Sequence, residues 1–290
     1  MVENTQPLDI NKPKSIKSKM LRWLSFLTIV YVIVVLIFYF FQSYMLFPGL
    51  LRQRIAIDDL PAGLEVVRIP TADDENLDGV LFKPEDPRGL VILCHGNGDL
   101  ICYMLNEVTQ LGKRFNVAVL AFDYRGYGNS EGFPTDQRLY ADGQAVYDFA
   151  IAQGYTGDNI VVFGRSLGGA IAISIAENNP ITALGIRSSF SKLSDLAAAK
   201  FPWLPVKLLI KNDFPSAEKL SSYSGPLVQM HGSADQVIPI KFGRKLHESA
   251  TNASPKKFME IKGFGHNGPT PEPFWVAFGK MLDENLQPEF

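Results

Sequence analysis

The sequence predicts an α/β fold in which a mostly parallel sheet is covered by helices on both faces. After residue 60, short runs rich in Val, Ile, Leu and Phe alternate with longer segments of helical periodicity. Such runs are typical of buried parallel strands, and their alternation with helices favours strand–helix–strand units. A wholly apolar segment near the N-terminus predicts one transmembrane helix ahead of this domain. We therefore divide the chain into a tail (1–22), an anchor (23–42) and a body (43–290).

The anchor has a run from Trp23 to Phe41 that contains no charged residue. These residues number about 19 and, at roughly 1.5 Å each, span nearly the thickness of a bilayer core. A buried core helix would be shorter or would show a polar stripe. A cleaved signal peptide would have a shorter apolar run and small residues at its exit, whereas bulky residues such as Tyr44 follow here. The sequence therefore predicts an uncleaved membrane anchor.

Charge is unevenly distributed along the chain. The formal net charge is −2, but residues 1–41 carry five Lys or Arg against two acidic residues. Cations that flank a membrane helix remain on the cytoplasmic side. We therefore expect a cytoplasmic N-terminus and a body on the periplasmic or another extracytoplasmic side. The body has a small acidic excess, which disfavours nucleic acid as a partner.

The body contains eight predicted strands and five predicted helices. The strands are expected at Leu64–Ile69, Leu77–Phe82, Leu90–Cys94, Val117–Phe122, Ile160–Phe163, Thr182–Ile186, Pro226–Met230 and Phe258–Ile261, and the helices at 101–113, 135–153, 167–178, 239–250 and 271–285. Residues 189–222 interrupt the alternation and are too long for a tight connection. We interpret them as a small helical cap, in which the prolines at 202, 205 and 215 disfavour a long regular helix.

A glycine-flanked serine lies between a predicted strand and a predicted helix, in the motif Gly164-x-Ser166-x-Gly168. A serine hydroxyl is a weak nucleophile and must be held on a sharp turn beside a base. The alternative interpretation is a glycine-rich turn that only precedes a buried helix. Because the motif lies at the carboxyl end of a strand, we predict Ser166 as a nucleophile. The Leu167 N–H, at the helix start, is predicted to donate to a developing oxyanion.

The chain has four histidines from which a base can be chosen. His266 directly follows the last predicted strand, on a glycine-rich loop, and is predicted to be the general base. His247 lies within a helical run and is expected at the surface. His95 and His231 precede glycines at strand ends and are expected to have other roles, which for His95 is to brace its loop.

A carboxylate is needed to orient that histidine. Asp235 follows the strand at 226–230 and is predicted to be the acid, with a turn residue that accepts backbone N–H bonds as the alternative role. Asp195 and Asp213 are alternative acids, but they lie in the cap rather than at a strand end. With Ser166 and His266, Asp235 would support formation and hydrolysis of an acyl-enzyme without a metal or a cofactor.

The loop after Leu90–Cys94 has the sequence HGNGDL and is placed to supply the second oxyanion donor. We predict the Asn97 N–H as that donor, paired with the Leu167 N–H. Asp123 and Arg125 follow another strand and precede a glycine-rich turn, where we expect them to tie loops together.

Cys94 and Cys102 flank the same predicted strand-to-helix turn. We interpret them as two small apolar residues, and a single bridge between them remains open if the body lies in an oxidising compartment.

The motifs HGNGD, FDYRGYGNSEG, GRSLGG, HGSADQVIP and GFGHN occur in this order. Together they resemble the membrane-anchored α/β-hydrolase-domain-containing serine hydrolases and the wider serine aminopeptidase-like and lysophospholipase-like branch, over about residues 60–285. The resemblance implies an α/β-hydrolase fold with Ser166, Asp235 and His266 as the catalytic triad. That group includes acyl-protein thioesterases and lipid hydrolases, so the resemblance does not select a substrate.

Three functions follow from these observations. The first is hydrolysis of lipid or acyl esters near a membrane, the second is peptide hydrolysis, and the third is binding without catalysis. Binding without catalysis is disfavoured, because suitable residues are present at all the triad and oxyanion positions. The cap mixes acidic residues with lysines and presents no clear pocket for a terminal amine. Trp203 and Leu204, in an apolar stretch of the cap, are predicted either to pack the cap or to line an acyl pocket, and membrane lipid is an expected partner.

Overall fold

The computed structural model describes residues 16–52 and 60–286, so most of the predicted tail lies outside the described residues. The chain divides into two compact units, Met1–Gln42 and Ser43–Phe290. The first unit is formed by helix α1, Ile16–Leu46, whose last four residues belong to the second unit. Helix α1 extends beyond the predicted anchor at both ends, and none of its residues is buried. Among the described residues it is the one helix long and apolar enough to cross a membrane.

The second unit is built on a sheet of eight strands. They are β1 (Leu64–Pro70), β2 (Asn76–Phe82), β3 (Leu90–Cys94), β4 (Ala118–Phe122), β5 (Ile160–Arg165), β6 (Ala183–Arg187), β7 (Leu227–Gly232) and β8 (Lys256–Ile261). Their order across the sheet is β1-β2-β4-β3-β5-β6-β7-β8. Strand β2 pairs antiparallel with β1 and β4, and the remaining pairs are parallel. The predicted mostly parallel sheet is confirmed.

Helices cover both faces of this sheet. They are α2 (Leu105–Phe115), α3 (Asp136–Ala152), α4 (Leu167–Asn178), α5 (Leu193–Lys200), α6 (Val206–Leu209), α7 (Ser216–Leu220), α8 (Ile240–Ser249) and α9 (Glu272–Asn285), with short 3-10 helices at Pro48–Leu51 and Ile101–Tyr103. Helix α2 begins later than predicted because a 3-10 turn occupies residues 101–103. The side chain of Thr135 accepts a hydrogen bond from the Arg138 N–H and caps α3.

The core consists of one apolar cluster on each face of the sheet. In β3, the side chains of Leu90, Ile92 and Cys94 enter one cluster, while Val91 and Leu93 enter the other. Successive side chains of a strand point to opposite faces, so a strand covered on both faces is a continuous apolar run. Both cysteines of the chain are free thiols. Burial raises the pKa of the Cys94 thiol well above its ordinary value, which fits the interpretation of this cysteine as an apolar core residue.

The cap lies between β6 and β7 and contains the three short helices α5, α6 and α7. Pro205 and Pro215 directly precede α6 and α7, so proline interrupts the segment as predicted. The buried ring of Phe214 contacts Phe190 and Tyr140 and joins the cap to the core.

Candidate active site

Ser166 lies on the turn between β5 and α4, with φ 55° and ψ −118°. Residues other than glycine rarely adopt this backbone conformation, so packing around the turn must stabilise it. A Cβ at Gly164 would lie 2.4 Å from the Gly168 carbonyl oxygen, and a Cβ at Gly168 would lie 2.2 Å from the Cys94 carbonyl oxygen. Both flanking positions therefore require glycine, because backbone approaches the turn on each side.

The three residues predicted as a triad form one chain of hydrogen bonds. His266 Nε2 lies 3.0 Å from Ser166 Oγ, and His266 Nδ1 lies 2.7 Å from Asp235 Oδ2. The other carboxylate oxygen accepts the backbone N–H groups of Val237 at 2.9 Å and Ile238 at 2.7 Å. The carboxylate is thus held at both oxygens, and the imidazole bridges it to the serine hydroxyl.

The electrostatics of Asp235 favour its ionised form. Burial alone would raise the pKa of this carboxyl, but hydrogen bonds from His231, His266 and the Ile238 N–H outweigh burial and hold the pKa well below its ordinary value. The ionised carboxylate accepts a hydrogen bond from the Nδ1–H of His266, which leaves the Nε2 lone pair facing Ser166 Oγ. This arrangement allows His266 to remove the serine proton.

The loop that contains Asn97 lies directly against the serine turn. Arg165, the residue before the serine, forms an ion pair with Asp99 of that loop. Asp99 also accepts the Gly96 N–H at 3.1 Å. Leu167 is the first residue of α4, where a backbone N–H has no acceptor within the helix. The structure therefore places the loop that contains Asn97 beside the turn that precedes Leu167.

Two of the remaining histidines pack against aromatic rings within the fold. His95 is buried, its Nδ1 lies 2.8 Å from the Gly96 carbonyl oxygen, and its ring lies against Tyr124. His247, which is expected at the surface from its helical run, is partly buried. The amphipathic face of α8 packs His247 against Phe258, with ring centroids 5.2 Å apart, and burial lowers the pKa of this histidine.

The two alternative acids, which lie in the cap, form ion pairs with lysines. Asp195 forms ion pairs with Lys207 at 3.0 Å and Lys245 at 2.9 Å. Asp213 forms an ion pair with Lys192 at 2.9 Å. Asp235 is the carboxylate that the structure brings against His266.

Arg125 and Asp123 tie loops together, as expected. Arg125 is buried and pairs with Asp142 at 2.6 Å and with Asp73 at 2.7 Å. Asp123 accepts the backbone N–H of Ile101 at 2.9 Å.

Arg187, at the end of β6, is a residue of this site that the motifs do not reveal. Its side chain is 1% exposed and donates to the Gly268 carbonyl oxygen and to Thr270 Oγ1, each at 2.7 Å. Its guanidinium also lies 5.4 Å from the centroid of the Phe264 ring. These three partners flank His266 on its loop, so Arg187 fastens that loop to the sheet.

Burial lowers the pKa of Arg187 to about 10, which leaves it charged at neutral pH. A charged residue in an otherwise apolar strand is the signal that could have identified it.

Comparisons with known proteins place the chain in a family. Residues 85–212 match the family described as serine aminopeptidase, S33. An uncharacterized Mycobacterium tuberculosis protein is 36% identical over 215 residues, which cover 72% of this chain and 74% of that protein. Human alpha/beta hydrolase domain-containing protein 17C is 31% identical over 207 residues, covering 70% of this chain and 61% of that protein. The chain belongs to the α/β-hydrolase family.

The fold of this α/β-hydrolase is shared with solved structures. A Pyrococcus furiosus esterase superposes with a TM-score of 0.65 at 20% identity, covering 81% of this chain and 97% of that chain. The chain spans less than two thirds of the length of the human 17C protein. The family match and the curated relatives support assignment of the chain as a hydrolase.

Proposed function

We propose that this hydrolase cleaves carboxylic esters or thioesters of lipid-like or acyl substrates, with Ser166 as the nucleophile. The observation that supports this proposal is the chain of hydrogen bonds from Ser166 Oγ through His266 to Asp235, at 3.0 Å and 2.7 Å. A serine hydroxyl that contacts a neutral imidazole, itself oriented by a carboxylate, is the arrangement that acyl transfer requires.

The proposed reaction has two half-reactions. His266 Nε2 takes the Ser166 proton as Oγ attacks the substrate carbonyl, and the N–H groups of Asn97 and Leu167 stabilise the oxyanion. Collapse of the tetrahedral intermediate expels the alcohol or thiol, which receives the proton from His266. Water, deprotonated by His266, then attacks the acyl-enzyme and releases the acid and the free serine. Asp235 stays ionised and stabilises the imidazolium in both steps.

The cap supports an apolar substrate. Trp203 is 51% exposed and its ring contacts Phe201, while Leu208 on α6 is also exposed. The cap carboxylates Asp195 and Asp213 are paired with lysines, so they are not arranged to receive the terminal amine of a peptide. Apolar side chains on the cap favour acyl groups over charged substrates.

We place the hydrolase domain at a membrane surface. The support is α1, which is long and apolar, and the cations that precede its apolar stretch. These cations favour a cytoplasmic N-terminus and an extracytoplasmic domain. A tag on the domain should therefore be digested by protease added outside spheroplasts or intact cells, while a tag at residue 2 should be protected. Protection of the domain tag would place the domain in the cytoplasm and contradict this topology.

The substrate class is tested with p-nitrophenyl esters of graded acyl length, assayed beside an acyl thioester and an aminoacyl amide. We expect medium and long acyl esters to be hydrolysed faster than acetate. Trp203→Ala should raise KM for long esters far more than for acetate, because each CH₂ that is no longer buried costs about 0.8 kcal/mol. Ile151→Ala, which truncates an exposed apolar residue on α3, is the control and should leave both KM values unchanged. An equal effect of Trp203→Ala on all chain lengths would assign the cap apolar residues to packing, and preference for the amide would favour the peptidase.

A second prediction concerns Arg187. Arg187→Lys replaces a planar guanidinium, which donates through two nitrogens, by a single ammonium group. The ammonium group cannot keep both hydrogen bonds, to Gly268 and to Thr270, in their present geometry. Since small displacements of a catalytic group are costly, we expect kcat for a p-nitrophenyl ester to fall roughly tenfold to a hundredfold with KM nearly unchanged. Arg125→Lys is the matched control, because Arg125 is equally buried but contacts Asp73 and Asp142 instead. That control should lower Tm without lowering kcat, and an equal fall in kcat would assign both effects to general destabilisation.

A further inference from the structure

The residues at which α1 ends are built into the hydrolase domain. We call Leu46–Leu50 the exit segment. Phe47 is fully buried, and its ring centroid lies 6.5 Å from that of Phe214 in the cap. Gly49 lies so close to the Tyr127 ring that a Cβ there would be 2.0 Å from it. The exit segment is therefore packed against Phe214 and Tyr127 of the hydrolase domain.

The exit segment makes a polar contact with the loop that contains Asn97. The side-chain amide of Asn97 donates through Nδ2 to the carbonyl oxygen of Leu46. Leu46 is the last residue of α1, where carbonyl groups lack N–H donors within the helix. Asn97 thus caps the end of the helix, and the helix end in return fixes the position of the Asn97 side chain.

Tyr127 completes this contact from the other side. Its hydroxyl donates to Asn97 Oδ1 at 2.7 Å, so the amide of Asn97 is held at both its nitrogen and its oxygen. The Tyr127 ring is buried between Gly49 and the ring of His95, whose centroid lies 6.0 Å away. One tyrosine therefore contacts the exit segment and two residues of the loop that carries the proposed oxyanion donor.

We propose that the exit segment and Tyr127 are positioning elements for the oxyanion donor, acting through the side chain of Asn97. A backbone N–H can stabilise an oxyanion only if it is aimed before the charge develops. Here the backbone of Asn97 is fixed by a side chain that is bonded to the end of α1. This inference rests on the proposed function and deepens it. The loop that contains Asn97 is hydrogen-bonded to Leu46, the residue at which the apolar helix ends.

The test removes one hydroxyl from the positioning elements. Tyr127→Phe keeps the buried ring and deletes the bond to Asn97 Oδ1. We expect kcat for a short p-nitrophenyl ester to fall about tenfold with KM unchanged, which is part of the 10²- to 10³-fold loss that follows deletion of an oxyanion donor. Tyr147→Phe is the matched control, because Tyr147 is also buried and donates to a backbone oxygen, that of Pro180, at 2.8 Å. The control should keep the wild-type kcat.

A second pair of variants tests the exit segment itself. Phe47→Leu loosens the segment, and Phe82→Leu changes a comparably buried ring on β2. Both should lower Tm, but only Phe47→Leu should lower kcat. All variants are made in the full-length chain in detergent micelles.

A readout without turnover separates this inference from the proposed function. Hydrogen–deuterium exchange of residues 95–100 should be faster in Tyr127→Phe and Phe47→Leu than in the wild type, and unchanged in the two controls. If the wild type cleaves no ester, the proposed function fails, while the exchange rates still decide whether the exit segment fixes the loop. Wild-type exchange and wild-type kcat in Tyr127→Phe would overturn the inference, as would an equal fall in kcat in the controls.

Discussion

Replacing Ser166 with alanine is expected to lower ester turnover by roughly 10³-fold or more, because no acyl-enzyme can form without Oγ. The substitution removes the 3.0 Å contact with His266 and leaves the bonds of the Ser166 backbone to Arg187 and Ser189 in place. The fold should therefore persist. Turnover of p-nitrophenyl butyrate and labelling by a fluorophosphonate probe are the measurements, and both should be lost.

The control for this prediction is Ser174→Ala, which removes a buried hydroxyl from α4, the helix that directly follows Ser166. It should keep wild-type turnover and labelling. Labelling that survives Ser166→Ala would place the nucleophile elsewhere. A wild-type chain that neither turns over esters nor reacts with the probe would favour a binding protein that retains the fold.

The exchange of Asp235 for asparagine is expected to lower kcat by roughly 10³- to 10⁴-fold. An amide cannot stabilise the imidazolium, and it can donate to His266 Nδ1, which selects the tautomer that cannot accept the serine proton. When two triad residues are replaced together, the fall in kcat should be smaller than the product of the two single effects, since the three residues act as one unit. Asp195→Asn and Asp213→Asn, whose carboxylates pair with lysines, are controls that should retain the wild-type rate. Full activity in Asp235→Asn would show that another group orients His266.

The pH dependence of stability checks the same residue. The pKa of Asp235 in the folded chain lies below its unfolded value of about 3.9. The ionised carboxylate therefore contributes stability above that unfolded pKa, and this contribution is lost as pH falls through the folded pKa. Thermal unfolding of the wild type between roughly pH 6 and pH 2 should show a decline in Tm that is smaller in Asp235→Asn. Parallel curves for the two proteins would contradict the depressed pKa.

Local chemistry allowed much of the fold to be predicted. Apolar runs mark strands because a strand covered on both faces has no polar position, and all eight runs form strands near the expected bounds. Ser166 could be located because its neighbours must be glycine wherever backbone approaches this closely, a requirement that is visible in the residues themselves. His266 and Asp235 could be located because each follows a strand, and parallel strands bring their carboxyl ends to one edge of the sheet.

The tertiary structure decided what depends on long-range packing. The partial burial of His247 follows from the strand on which α8 packs, which helical periodicity does not specify. The role of Arg187 is visible only in the tertiary structure, where β6 lies beside the loop that contains His266. Its partners, the Gly268 carbonyl and the Thr270 hydroxyl, are distant from it in sequence. The bond from Asn97 to Leu46 joins two segments that no motif relates. The sequence by itself determined which residues are candidates for acyl transfer, because that chemistry requires particular functional groups on particular turns. The tertiary structure decided which contacts hold these residues in place. Every residue has a backbone carbonyl group, and only packing determines which of these groups a side chain such as that of Arg187 or Asn97 contacts.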